Sequence, residues 1–197
     1  MIWLYRVVFW VPFIIAILTF LWLLWLEFFK KGIGLKTARR ATFLVFGIFA
    51  FQMLAKMFIF YWVTKHSTFG PYLLKTPSFL KSNLWYIAQT FLVYVLVAVS
   101  FTVVAVIVYK LFKRPLFKKS DLWVVFATTL VAGYPDVLIV LIGALLLMIL
   151  IQIIIVAFAH KSIRLNLIPF LIIATILVGI LNNFNFYLTF LRTLHLI

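Results

Sequence analysis

Apolar residues run along this chain in long blocks, separated by short stretches that are basic or polar. The first block extends from about Ile2 to Phe29, enough to cross an apolar layer of about 30 Å at 1.5 Å per residue with some tilt. It reads as a span and not as a cleaved signal peptide. The apolar run is too long, only Arg6 precedes its core, and no small-residue cleavage site follows. Pro12 bends this segment or marks its first turns. A second block covers about Ala41 to Val63, and a third about Asn83 to Phe112. The stretch from Leu122 to Ala159 is too long for one ordinary span, and Gly133-Tyr134-Pro135-Asp136 breaks it. This yields a short segment 4, about Leu122 to Ala132, and a full segment 5, about Val137 to Ala159. Segment 6 runs from about Leu165 to Leu191. The predicted fold is all-α: a polytopic integral membrane helical bundle forming a single transmembrane domain over residues 1–197. It has six hydrophobic segments, five of them full spans. Segment 4 is either a short crossing inside the bundle or a re-entrant hairpin arm.

The intervening stretches carry the threading information. A first basic loop holds Lys30, Lys31, Lys36, Arg39 and Arg40, with Gly32 and Gly34 as breakers. Residues 64–82 are the longest polar stretch, with Gly70, Pro71 and Pro77 marking turns. A second basic loop holds Lys110, Lys113, Arg114, Lys118 and Lys119, and a third holds His160, Lys161 and Arg164. If all six segments cross, these three loops share a side that carries 12 of the 18 basic residues, against 5 on the other side. If segment 4 does not cross, the division becomes 11 against 6. The positive-inside rule prefers the first arrangement, with both termini outside and the two five-charge loops in the cytoplasm. Trp3, Trp62 and Trp85 then fall near the outer interface, and Trp22, Trp25 and Trp123 near the inner one.

Composition removes several classes of protein. Of 197 residues, 68% are hydrophobic and 11% charged, whereas an ordinary soluble domain is roughly 45–50% apolar and about 25% charged. A soluble globular domain, a disordered chain and a disulfide scaffold are all excluded. The formal charge of +15 would suit nucleic acid or lipid headgroups. Because the charges sit in short loops between apolar blocks, the expected partner is a bilayer with anionic headgroups, contacted by the ten lysines and arginines of the first two loops. Nucleic acid is not expected. The expected location is the plasma (cytoplasmic) membrane. With no cysteine, thiolate metal sites, iron–sulfur clusters and cysteine nucleophiles are absent. Carboxylate and imidazole chemistry must draw on Glu27, Asp121, Asp136, His66, His160 and His195. No cofactor or metal is expected; for haem, the threading places His66 and His160 on opposite sides.

Few polar side chains interrupt the spans. Lys56 is the clearest intramembrane charge, with Gln52 one turn earlier on the same face. Lys56 lies about 10 Å from the outer end of its segment, so snorkelling competes with a functional role. Gly133, Pro135 and Asp136 form the most distinctive local break. Asp136 can cap segment 5 at the positive end of its dipole, or the break can line a site between discontinuous helices. Gln152, Asn182, Asn183 and Asn185 are amides that bond between helices or line a path. Gly143 and Gly179 allow close helix approach without forming a GxxxG pair. Asp121 and Asp136 lie too far apart along segment 4, about 22 Å, to share a proton. Glu27 and Asp121 both fall near the inner face and could meet, but the neighbouring lysines make local charge neutralisation the simpler role.

Residues 84–185 resemble two families. A basic loop, Lys110-Leu111-Phe112-Lys113-Arg114-Pro115-Leu116-Phe117-Lys118-Lys119-Ser120, lies between spans. The break at Gly133-Tyr134-Pro135 and the short loop His160-Lys161-Ser162-Ile163-Arg164 follow it. Together these are similar to Yip1-type multispan membrane domains, with segments 2 to 6 as the five helices. That resemblance implies a non-enzymatic membrane protein, linked in eukaryotes to vesicle traffic. Ser120-Asp121, Gly133 and Ile168-Pro169-Phe170 resemble the type IV prepilin peptidase core. There the chain departs from the pattern: Lys118, Lys119 and Ser120 replace the glycines, and residues 28–120 contain no acid. This second resemblance implies at most an inactive aspartyl peptidase relative.

The expected function is a non-catalytic membrane scaffold or a subunit of a larger membrane assembly, with other membrane subunits or a second copy as partner. The alternative is a small transporter or substrate-binding membrane component whose path is lined by Gln52, Lys56, Gln152 and the Asn cluster. A membrane hydrolase using Asp121 is the third possibility.

Overall fold

The computed structural model of the chain describes residues 2–30, 32–111, 118–133, 135–159 and 165–193, with side chains described except at 2–6, 9, 159 and 183–193. These residues form α1 (Ile2–Phe29), α2 (Leu35–His66), α3 (Gly70–Leu74), α4 (Pro77–Leu111), α5 (Lys119–Ala132), α6 (Asp136–Ala159) and α7 (Leu167–Thr193). Among the described residues every regular element is a helix. Four helical stretches are long and apolar enough to cross a membrane: Trp10–Phe29, Leu35–His66, Pro77–Leu111 and Asp136–Phe158. A shorter apolar helix covers Leu167–Asn182. In hydrocarbon the backbone must satisfy its own hydrogen bonds, and helices do so locally.

Two of the expected boundaries move. The first basic stretch is not all loop: α2 begins at Leu35, so Lys36, Arg39 and Arg40 lie on its opening turns. Gly34 is its extended N-cap, and its carbonyl accepts from the Ala38 N–H at 2.9 Å. The polar stretch 64–82 is likewise largely helical. Pro71 sits in the first turn of α3, and Pro77 opens α4, positions where a missing N–H breaks no helical bond. Lys110 and Lys119 are also helical, at the end of α4 and the start of α5. Lys31, Lys113, Arg114 and the loop around Lys161 lie outside the described residues.

Short segment 4 occupies the centre. α5 has 14 residues, about 21 Å at 1.5 Å each. It packs against α2, α4 and α7. Its buried residues include Asp121, Val124, Val125, Ala127 and Leu130. Thr128 and Thr129 are fully buried and return their hydroxyls to carbonyls one turn back, so their polarity is satisfied inside the helix. Around α5 the main core gathers Phe20 and Leu23 of α1, Ala38 and Ala41 of α2, Ala105 of α4, Val140 and Ala144 of α6, and Ile168, Leu171 and Ile172 of α7. The repeated alanines let backbones approach closely, and dispersion and packing then hold the helices together. Gly143 serves the same end, facing Ala174 across α6 and α7.

One pole collects the basic helix ends. Glu27, near the end of α1, accepts from the Ile33 N–H just before α2 and from Asn166 just before α7. Leu35, Lys110 and Lys119 line one recess, bringing α2, α4 and α5 to the same level. Ile151 of α6 packs in the same cluster as Leu165 and Leu167. α5 therefore rises from this pole only part of the way, and α6 returns to it.

Candidate functional site

Four-residue spacing places Gln52 and Lys56 on one face of α2, and the same spacing aligns Tyr86, Thr90 and Tyr94 on α4. The two faces meet across a cavity of about 300 Å³. Its apolar wall includes Phe49 and Phe91. Aromatic contacts lie along the α2–α4 pair, with Phe46–Phe91 at 5.9 Å and Phe60–Phe79 at 6.1 Å between ring centroids. Lower down, α5 fills the space between α2 and α4, where Val45, Ala98 and Leu130 form a small buried cluster with Tyr94 packed against it. The cavity opens where α5 stops.

That stop is set by Gly133. It caps α5 with φ +67° and ψ −180°, a region open essentially to glycine alone. A Cβ built there would lie 2.7 Å from the Tyr94 ring. The Gly133 N–H donates to the Thr129 carbonyl, and the Gly133 carbonyl accepts from Val137 at 2.8 Å, joining the end of α5 to the start of α6. Asp136 opens α6, where the helix dipole favours a carboxylate. Asn182 of α7 donates a hydrogen bond to that carboxylate. Tyr94 is thus the hinge between the cavity and the helix break.

The polar residues singled out from the sequence separate into groups. Gln52 and Lys56 come together. Asn182 joins Asp136 and ties α7 to α6, while the side chains of Asn183 and Asn185 lie outside the described residues. Gln152 stands apart: it lies 16 residues beyond Asp136 on α6, about 24 Å toward the basic pole. It does not join Gln52 and Lys56, because α6 runs away from the cavity. Tyr86, Thr90 and Tyr94 were not among the candidates. Their four-residue ladder was visible, but aromatic residues are so frequent in this chain that tyrosines read as interface or core.

The basic pole holds a second polar group. Asp121 accepts from the Lys118 N–H at 2.7 Å and from the Ser120 hydroxyl at 3.2 Å, closing the first turn of α5. Burial pushes the Asp121 carboxyl above the usual carboxylate range, against the opposing pull of these hydrogen bonds. Both acids sit at the basic pole, and each has both oxygens engaged: Glu27 with Ile33 and Asn166, Asp121 with Lys118 and Ser120. Thr42 donates to the Trp123 carbonyl at 2.8 Å, fixing α2 against α5. Arg39 lies over the rings of Phe43 and Trp123 at 5.5 and 5.9 Å, and Lys30 over Trp25 at 5.2 Å. Lys110 and Lys119 flank a mostly apolar recess of about 500 Å³ between α4 and α5. Among the described residues, no group of three His, Asp or Glu side chains is placed to hold a metal ion.

Comparison with family models, characterised proteins and solved structures finds no match to this chain.

Proposed function

We propose that this is a non-catalytic membrane protein of six segments that binds a ligand in the α2–α4 cavity, as a small transporter or substrate-binding component. The observation that carries this is the convergence of Gln52 and Lys56 with Tyr86, Thr90 and Tyr94 around about 300 Å³, directly beyond a half-length helix. Ligand pockets occupy about 300–1,000 Å³ and combine apolar walls with a few placed polar groups. Discontinuous helices beside such sites are a recurrent feature of transporters. In this proposal α1, α2, α4, α6 and α7 cross fully and α5 supplies the short sixth segment. The basic pole faces the cytoplasm against anionic headgroups, and both termini lie outside. The gathering of the α1 and α4 ends with the α2, α5 and α7 starts supports that threading.

A second reading, a scaffold or subunit of a larger membrane assembly, is favoured by the exposed faces of α2, α4 and α6. Only 6% of the most apolar window of α2 is buried within the chain, so lipid or partner helices cover the rest. The Yip1-type resemblance supports the non-catalytic part of both readings. An aspartyl peptidase role for Asp121 gains no support from carboxylates already committed to helix ends.

The absence of cysteine makes the test direct, because one introduced thiol is the only label site. Thr90→Cys should react with a small water-soluble thiol reagent in the membrane-embedded protein, and Leu146→Cys, on the exposed face of α6, should not. Equal protection of both positions would reject a water-accessible cavity.

A further inference from the structure

The recess of about 500 Å³ between α4 and α5 is charged at one end and apolar along the rest. Lys110 belongs to the last turn of α4 and Lys119 to the first turn of α5, so two antiparallel helices bring both cations to one mouth. Both lysines are exposed. Inward from them the wall is built from Val106, Leu122 and Phe126. Thr102, also in the wall, lies about 12 Å from Lys110 along α4, and Phe126 about 10 Å from Lys119 along α5. Tyr109 and Trp123 stand near the mouth, as aromatic residues do at a membrane interface. No acid lines the recess.

This layout complements an amphiphile with an anionic head. Two like charges at one mouth repel, and an anion placed between them turns that repulsion into attraction. A small hydrophilic anion would meet the lysines and leave the apolar wall unused. We propose that the recess holds a single anionic phospholipid, its phosphate between Lys110 and Lys119 and one acyl chain along Val106, Leu122 and Phe126. The site is separate from the α2–α4 cavity and rests only on the threading proposed above, which sets the basic pole against the cytoplasmic leaflet. Basic segments attract anionic headgroups in general; here a lysine pair and a groove make one defined position. Charge-assisted hydrogen bonds to phosphate are roughly twice as strong as neutral ones, so the lysines select the headgroup. Close packing in the groove retains the chain.

Three variants separate this site from diffuse attraction. Lys110→Gln with Lys119→Gln removes the pair at the mouth. Lys36→Gln with Arg40→Gln removes two charges from the same pole, on α2 and outside the recess. Val106→Phe fills the groove. The full chain, purified in a neutral detergent, is offered phosphatidylglycerol, phosphatidylcholine of equal chain length, dihexanoyl phosphatidylglycerol or inorganic phosphate. Retained lipid is counted by native mass spectrometry. The wild-type chain should prefer phosphatidylglycerol about tenfold over phosphatidylcholine. Removing the lysine pair should bring the two lipids to parity, and removing the α2 pair should preserve the preference. Val106→Phe should reduce long-chain retention while leaving the dihexanoyl lipid unchanged. Should Val106→Phe fail to fold, the two charge pairs decide alone. Equal losses in both double variants would assign the preference to diffuse charge and overturn the proposal. Displacement of the long-chain lipid by inorganic phosphate at equal concentration would overturn the groove. Parity in the wild-type chain, with cysteines at Lys36 and Lys118 proving cytoplasmic, would reject the lipid site and leave the threading standing.

Discussion

Single residues carry much of the geometry because most of the chain is interchangeable hydrocarbon. Gly133 is the clearest case. Its backbone region excludes side chains, and the Tyr94 ring occupies the place a Cβ would take. Gly133→Ala should therefore destabilise the protein by at least about 1–3 kcal/mol from the backbone conformation alone. The loss is measurable as a lower unfolding temperature in detergent. A second change, Tyr94→Leu, should recover part of the steric cost and none of the backbone cost. An unchanged transition in Gly133→Ala would mean that α5 does not end as described. Gly133 was visible in the sequence as a breaker beside Pro135. Tyr94 was not, since nothing in a tyrosine within an aromatic-rich span shows which neighbour it meets.

Among the elements, α5 does most to organise the bundle. Its length was legible, because an apolar run of about eleven residues between a basic stretch and a Gly–Pro break cannot cross alone. Its central position was not. A short helix survives at membrane depth when its ends are surrounded by protein, and α2, α4 and α7 provide that surround. Its N-terminus depends on Asp121, whose carboxylate accepts the Lys118 N–H and faces the positive end of the helix dipole. Asp121→Ala should cost about 0.5–2 kcal/mol in thermal or denaturant unfolding, and Asp121→Asn distinctly less. A larger loss in activity than in stability, once a ligand assay exists, would return Asp121 to the list of functional groups. The same reasoning applies to Glu27: both carboxylates accept hydrogen bonds from residues at helix starts, which is a structural role and not a catalytic one.

At the scale of the molecule, charge and packing agree on two poles. Lys30, Lys36, Arg39, Arg40, Lys110, Lys118 and Lys119 gather at one pole, and the cavity with Lys56 lies toward the other. Single cysteines at Lys36 and Lys118 should be labelled by impermeant reagents only after the cytoplasmic face is exposed, and one at Lys65 in intact cells. The reverse pattern would invert the threading.

Hydrophobic blocks and breakers were enough to infer a helical protein with membrane-length apolar helices, though not where α2 and α4 begin. Each of those is a local property: a run of apolar residues must avoid water wherever it folds. Which faces meet is not local. In a chain with 68% hydrophobic residues, almost any helix face is apolar enough to pack, so periodicity does not select partners. Only the tertiary structure brought Gln52 and Lys56 opposite the α4 ladder, separated Gln152 from them, and joined Asp136 to Asn182. The cause is the early end of α5, which leaves α2 and α4 facing one another with space between.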